Sequence, residues 1–154
     1  MKHLIPEFEK LRTRMPPGFE SSLLLPCLRR IQEDRGYVAD SDIEALTAYL
    51  GVPQIQIEEV LSFYTQFRRK PIGRWHLQLW HNISCSMRGA EDIRAHVEHK
   101  LGLQPGHTTA DRRFTRSTAE CLGSCGTAPM MMVNDGYHEN LTLTKLDELL
   151  QGLK

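Results

Sequence analysis

The most constraining feature of this sequence is a change in the spacing of its apolar residues near residue 74. Up to residue 72, apolar side chains recur every three or four positions, as they do in amphipathic helices. The segment Trp75-His76-Leu77-Gln78-Leu79-Trp80 alternates instead, which is typical of a half-buried strand. We therefore predict an α+β protein with two domains, a helical module at residues 1–72 and a mixed domain at residues 73–154.

The helical module is divided by turn residues into four predicted helices. They lie at about residues 4–11, 22–35, 41–50 and 54–64. Ser41 and Glu44 have the spacing of a capping box, which predicts the start of the third helix. Cys27 lies on the apolar stripe of the second helix, so we interpret it as a core residue.

The second domain shows alternating helix and strand patterns. We predict strands at 75–80, 112–119 and 130–133, a short return strand through Tyr137, and helices at about 88–101 and from about Thr144. Asn134-Asp135-Gly136 has the composition of a tight hairpin turn. The resulting order, β-α-β-β-α in about eighty residues, predicts a small α/β sandwich of thioredoxin type.

Charge and hydropathy limit the functional classes. The formal net charge is zero, with ten basic and ten acidic residues in 1–72 and nine of each in 73–154. The sequence has no basic field of the kind that binds nucleic acid, so we expect no nucleic-acid partner. No apolar run is long enough for a membrane span, and the first residues do not resemble a signal peptide. We expect a cytoplasmic protein without direct membrane insertion, whose membrane attachment would come through its partners.

The four cysteines indicate a soft-metal site. In a cytoplasmic protein, clustered cysteines more often bind metal than form disulfides. Cys121 and Cys125 lie in a loop of small residues, whose backbone N–H groups can turn toward an anionic group. Cys85 follows the first predicted strand where a helix begins, and a helix N-terminus shifts a thiol toward thiolate. In a thioredoxin-like sheet these two loops can approach each other, so three thiolates can converge.

Several motifs resemble one known family, the thioredoxin-like [2Fe-2S] ferredoxins. The run Cys85-Ser86-Met87-Arg88-Gly89-Ala90 resembles that family's C-x-x-R-G-A helix start, and Cys121-Leu122-Gly123-Ser124-Cys125-Gly126-Thr127-Ala128-Pro129 resembles its CLGxCxxAP loop. Met132-Val133-Asn134-Asp135 and the upstream Ser62-Phe63-Tyr64 continue the similarity. The match covers nearly the whole chain, from about Leu25 to Leu150.

The resemblance implies a cofactor, a partner and a role. The cofactor would be one [2Fe-2S] cluster, with Cys85, Cys121 and Cys125 as the matching ligands. The partner would be the flavin- and NADH-binding subunit of an oxidoreductase complex, such as an NADH dehydrogenase, an NAD-linked formate dehydrogenase or a hydrogenase. The chain itself has no Gly-rich phosphate loop, so we expect it to bind neither NAD nor flavin directly. It would transfer electrons as an accessory subunit and perform no substrate chemistry.

The sequence departs from the family pattern at one ligand. The family spaces its first two cysteines as C-x4-C, and this chain has Trp80 at the first of those positions. An indole nitrogen is a hydrogen-bond donor only and cannot ligate iron. Three outcomes remain open. His81 supplies the fourth ligand, the cluster binds through three cysteines and an oxygen or solvent ligand, or the cluster has been lost and the fold persists as a structural subunit.

Two rival functions use the same thiols. A zinc-binding structural protein would hold the metal through Cys85, Cys121, Cys125 and His81 in a Cys3His site. A dithiol redox enzyme of the thioredoxin kind would need a C-x-x-C pair, which this chain lacks.

Overall fold

The computed structural model describes residues 1–80, 82–119, 121 and 123–154. It divides into two compact units, Met1–Pro71 and Ile72–Lys154. Within the described residues, no helix combines the length and the apolar character needed to cross a bilayer.

The first unit contains only helices. These are α1 (Ile5–Arg12), α2 (Leu24–Arg35), α3 (Asp40–Leu50) and α4 (Gln54–Phe63), with short 3-10 turns at Lys2–Leu4 and Glu20–Leu23. Their apolar faces form one core, in which Phe8, Leu28, Ile43 and Ile57 are completely buried. Gly36 and Gly51 adopt left-handed conformations and end α2 and α3, as glycine at a helix C-terminus commonly does. The predicted four-helix order is confirmed.

The start of α3 differs from the prediction. The N-cap residue is Ala39, and the backbone N–H of Ala39 donates to the Asp42 carboxylate at 3.0 Å. Asp42 also accepts a hydrogen bond from Arg35 at 2.8 Å, and it is buried. The capping box predicted from Ser41 and Glu44 is therefore wrong. The carboxylate already paired with Arg35 reaches back to the start of the helix instead.

Cys27 is completely buried in α2, which confirms its interpretation as a core residue. Burial raises the pKa of its thiol to about 11, against a smaller lowering by the nearby Arg12 guanidinium. The unfolded chain gives up the proton near pH 9, so stability falls as the pH rises from about 9 to about 11.

Cys27 is consequently expected to resist thiol reagents in the native protein. At pH 8, mass spectrometry after treatment with iodoacetamide should find Cys121 and Cys125 alkylated and Cys27 unmodified, because the exposed pair is accessible. The same treatment in guanidinium chloride should modify Cys27 as well. Native alkylation of Cys27 at the rate of Cys121 would contradict the buried assignment.

The second unit is built on a four-stranded sheet of order β2-β1-β3-β4. The strands are β1 (Trp75–Trp80), β2 (Phe114–Ala119), β3 (Met131–Val133) and β4 (Gly136–His138). The helices are α5 (Ile83–Ser86), α6 (Ala90–Leu101) and α7 (Leu143–Gly152). The order β-α-β-β-α is the predicted one, and α5 adds a single turn before the long α6.

The core of the second unit lies between the sheet and the two long helices. Leu77 and Leu79 of β1 share it with Ile93 of α6 and Leu146 of α7. β1 pairs with β2 in parallel and with β3 in antiparallel orientation. Asn134, with φ of 53°, provides the left-handed conformation that the predicted β3–β4 turn requires.

Candidate metal centre

The parallel pairing of β1 and β2 brings two cysteine-bearing loops to the same edge of the sheet. In the register of these strands, Trp80 lies opposite Ala119, and both strands end there. The loop after β1 leads to Cys85, and the chain after β2 leads to Cys121. Because parallel strands run in the same direction, their C-terminal loops leave from a common edge. The sheet topology therefore places the predicted ligands together.

Cys85 is the buried member of the group. It lies in the single turn of α5, and its backbone N–H donates to the side-chain oxygen of Asn82, the N-cap residue, at 3.1 Å. Burial raises the pKa of the Cys85 thiol, and negative charge on Cys125 and Cys121 raises it further. The three sulfurs thus lie close enough to influence one another's charge.

The direction of that pKa shift corrects one prediction. A helix N-terminus was expected to favour the Cys85 thiolate, but the structure raises the pKa instead. The helix concerned has only four residues, so its dipole is small, while the side chain is completely buried. Desolvation therefore outweighs the helix dipole, and Cys85 stays protonated unless a cation compensates for its charge.

Cys121 and Cys125 are exposed. The backbone N–H of Gly123 donates to the Cys121 sulfur at 3.4 Å, and Gly123 has φ of 82°. A side chain at this position would disfavour that left-handed backbone, so glycine suits a loop whose amide faces a sulfur. The contact agrees with the expectation that N–H groups of this loop turn toward the thiol.

Polar side chains fix the loop that carries Cys125. Glu139 accepts hydrogen bonds from the hydroxyls of Ser124 and Thr127, the latter at 2.5 Å. Arg88, which follows α5, donates to the carbonyl oxygen of Gly126 at 2.9 Å and so joins the Cys85 segment to the same loop. In the sequence Arg88 was visible only as part of a motif, without a function of its own. Glu139 was missed because it lies outside any recognisable pattern.

Removal of the Glu139 carboxylate is expected to loosen the loop. Glu139→Ala should increase the rate at which thiol reagents modify Cys125 several-fold, because Ser124 and Thr127 lose their common acceptor. The rate is measured by stopped-flow with a chromogenic disulfide and assigned by mass spectrometry. Glu148→Ala, at an exposed glutamate of α7, is the matched control. Equal Cys125 reactivity in both variants would show that Glu139 does not hold the loop.

Acid should have the same effect as that substitution. The hydroxyls of Ser124 and Thr127 lower the pKa of Glu139. A carboxyl whose pKa is lowered in the folded state stabilises that state fully above its unfolded pKa, and this contribution disappears as the pH falls through the folded pKa. The loop should therefore stay anchored at neutral pH and loosen only in acid.

Trp80 fills the space beneath these loops. It is 2% exposed and packs in a small apolar cluster with Cys85, Ala90, Ala128 and Met130. Its indole Nε1 is buried without a hydrogen-bond partner within the described part of the chain. Trp80 is therefore a core residue at the position where the family has a cysteine.

The side chains fit an anionic metal centre in part. Three thiols of mutually sensitive charge and an unpartnered N–H donor suit a thiolate-bound group, for which soft metals and iron–sulfur clusters are the usual occupants. No group of three or more His, Cys, Asp or Glu side chains is already arranged around a metal position among residues 1–80, 82–119, 121 and 123–154. His81, the tentative fourth ligand, lies outside the described residues, so its assignment stays a prediction.

Comparison with known proteins agrees with these features. The family model described as "Thioredoxin-like [2Fe-2S] ferredoxin" matches residues 8–154. The chain is 41% identical to the second E-type subunit of NADH-quinone oxidoreductase from Rhizobium meliloti, covering 96% of this chain and 87% of that protein. It is 38% identical to the E-type subunit of NADH-quinone oxidoreductase from Escherichia coli, covering 84% and 78%. It is 36% identical to NADH-quinone oxidoreductase subunit 2 of Thermus thermophilus, covering 95% and 81%.

A solved structure supports the fold. The chain superimposes on part of an NAD+-reducing [NiFe]-hydrogenase in the air-oxidized state with a TM-score of 0.71. The alignment covers 82% of this chain and 22% of the hydrogenase chain, at 22% identity, and so bears on the fold alone. The family match, the identities over almost the full length and the position of the three cysteines agree. The chain belongs to the thioredoxin-like [2Fe-2S] ferredoxin family.

Proposed function

We propose that this chain is an accessory electron-transfer subunit of an NADH-oxidising dehydrogenase complex of the NADH-quinone oxidoreductase type. The observation that carries the proposal is the 41% identity to a Rhizobium meliloti protein named as a subunit of NADH-quinone oxidoreductase, over 96% of this chain. NADH and flavin would bind to a partner subunit, because this sequence contains no Gly-rich phosphate loop. The chain would dock beside that flavin- and NADH-binding subunit and meet the membrane only through the complex.

The finer part of the proposal concerns the cofactor. Cys85, Cys121 and Cys125 would hold an iron–sulfur centre of the [2Fe-2S] type, since all three sulfurs lie at one edge of the sheet and sense one another's charge. When bound, such a centre supplies one-electron transfer. The protein contributes orientation and charge compensation. Asn82 orients the Cys85 backbone, the Gly123 N–H group donates to the Cys121 sulfur, and Glu139 holds the loop.

One observation favours a second candidate, a structural subunit without a cluster or with zinc. The family's fourth ligand position is filled by a completely different side chain, the indole of Trp80, which is packed in an apolar cluster. A cluster with three protein thiolates and another ligand would be labile, whereas a packed indole stabilises the fold without any metal. In this candidate the docking on the flavin subunit persists and the electron storage does not.

The two candidates are distinguished in the intact complex. The tagged chain is purified anaerobically from its native host, co-purifying proteins are identified, and flavin, iron, sulfide and zinc are assayed. We expect a flavoprotein partner, and a chain that purifies alone would overturn the proposed function. Iron and sulfide with a rhombic EPR signal after NADH reduction support the cluster. One equivalent of zinc in a colourless chain, or an intact complex without either metal at this site, supports the structural subunit.

The same preparation tests the fourth ligand. Imidazole raises the reduction potential of an iron–sulfur centre when it replaces thiolate. If His81 ligates iron, His81→Ala should remove the rhombic signal while the complex remains assembled. An unchanged signal would exclude His81 as a ligand and leave an oxygen or solvent ligand at the fourth position.

A further inference from the structure

The indole N–H of Trp80 is a buried donor that lacks an acceptor. The residue is 2% exposed, and Nε1 has no hydrogen-bond partner among the described residues. Buried donors are rarely left unpaired, since removal from water without a replacement hydrogen bond is unfavourable. An acceptor that the folded chain itself does not supply would remove that penalty.

The position of Trp80 indicates which acceptor this is. It is the last residue of β1, at the edge of the sheet from which the cysteine loops leave. Its immediate apolar neighbours include Cys85, and Ala128 from the end of the Cys121–Pro129 loop. The side chain therefore lies directly beneath the candidate metal centre and is surrounded by groups that cannot accept a strong hydrogen bond.

Trp75 shows that burial of an indole N–H is not sufficient evidence. Its Nε1 is also buried without a partner in the described part of the chain, but Trp75 begins β1 rather than ending it. Five strand steps separate the two residues, a distance of roughly 16 Å at the usual rise per residue. Trp75 also belongs to the core between the sheet and the long helices rather than to the cluster around Cys85. Of these two tryptophans, Trp80 joins the unpartnered donor to the thiols.

We propose that the Nε1–H group of Trp80 donates a hydrogen bond to a sulfur of the metal centre held by Cys85, Cys121 and Cys125. The inference rests on the proposed cluster. Anionic sulfur is an acceptor for such a donor, and hydrogen bonds to charged acceptors are stronger than those between neutral groups. At the position of the family's missing thiolate, Trp80 thus replaces a ligand by a donor, which lowers the negative charge that the sulfurs must bear.

A hydrogen bond to sulfur has a definite effect on the potential. Reduction adds negative charge to the centre, so a donor stabilises the reduced form and raises the reduction potential. Trp80→Phe removes the donor and retains an aromatic ring. It should shift the oxidised-to-reduced ratio at a fixed solution potential about tenfold toward the oxidised form, which equals ~59 mV for one electron.

The experiment is an EPR-monitored redox titration of the purified complex, with Trp80→Phe and Trp75→Phe compared with the wild type. Trp75→Phe is the matched control, because it removes a similarly unpartnered indole N–H from the same strand of the described chain. We expect the lowered potential in Trp80→Phe only. Equal potentials in all three proteins overturn the inference and leave the cluster in place. A reconstituted wild type without iron overturns the cluster and this inference with it.

A second measurement avoids any dependence on the folding of a variant. In the wild-type complex with 15N-labelled indole, pulsed EPR of the reduced centre should detect hyperfine coupling to one indole nitrogen. A reduced centre without coupling to any indole nitrogen would overturn the hydrogen bond even if Trp80→Phe proved unstable.

Discussion

Replacement of Trp80 by cysteine is expected to restore a four-thiolate site and to raise the iron content to about two irons per chain. The new thiol would stand at the end of β1, at the position of the family's first ligand and next to Cys85 in the same packed cluster. Iron release to a chelator should slow by more than the ~10–100-fold that groups outside the ligand set produce. Iron and sulfide are measured after anaerobic reconstitution, together with the release rate.

The same replacement should weaken the metal-free protein. Trp80 is almost completely buried, so a much smaller side chain leaves a cavity that costs about 3–5 kcal/mol of unfolding free energy. Metal binding then returns stability through the thiolates, since a metal that binds only the folded state stabilises it. We expect denaturant unfolding to show a less stable variant without metal and a metal-dependent recovery that exceeds any recovery of the wild type.

Trp80→Ser separates the thiolate from the cavity. Serine has nearly the shape of cysteine and creates the same cavity, but its hydroxyl is a poor ligand for iron. It should show the loss of stability without the gain in iron. Equal iron contents in the serine and cysteine variants would mean that the end of β1 does not face the metal centre, and would contradict the placement of Trp80 beneath it.

The sequence predicted the features that depend on local patterns. The alternation in Trp75–Trp80, the apolar spacing of the helices and the turn residues after β3 each specify one element, and the structure contains all of them. The convergence of Cys85 with Cys121 was also predictable, since two parallel strands must release their loops at one edge. That Trp80 cannot ligate iron follows from its chemistry alone.

Features that depend on partners distant in sequence could not be predicted. Asp42 displaced the expected capping residues because Arg35 pairs with it, and Glu139 holds the Cys125 loop from a segment that carries no motif. The pKa of Cys85 was predicted in the wrong direction, because the spacing of residues shows a helix start but not how deeply the thiol is buried. Arg116 is a further example. In sequence it interrupts a strand, and in the structure it is one of the most completely buried side chains.

Replacement of Arg116 by alanine is expected to destabilise the second unit by about 2–4 kcal/mol. Arg116 is 2% exposed, and its guanidinium donates to the Leu103 carbonyl at 2.7 Å and to the Glu98 carboxylate at 3.0 Å. These bonds join β2 to the end of α6 and the loop that follows it. Alanine leaves both a cavity and an unpaired carbonyl group. The measurement is the free energy of unfolding in guanidinium chloride, followed by fluorescence and circular dichroism.

Arg116→Met distinguishes the two contributions. Methionine retains most of the buried volume, so only the loss of the bond to the Leu103 carbonyl remains and the cost should be smaller than for alanine. If the two variants were equally destabilised, the hydrogen bonds rather than the packing would account for the effect. Nearly wild-type stability of Arg116→Ala would instead contradict the role of the guanidinium.

Acid titration of the methionine variant isolates the ion pair with Glu98. The hydrogen bond from Arg116 is the largest cause of the lowered pKa of Glu98, followed by the bond from Gln104. A lowered folded pKa stabilises the protein fully above the unfolded pKa, and the contribution is lost as the pH falls through the folded pKa. The wild type should therefore lose stability in acid more steeply than Arg116→Met. Parallel pH profiles would show that the exposed Glu98 contributes nothing through this contact, as many exposed ion pairs do.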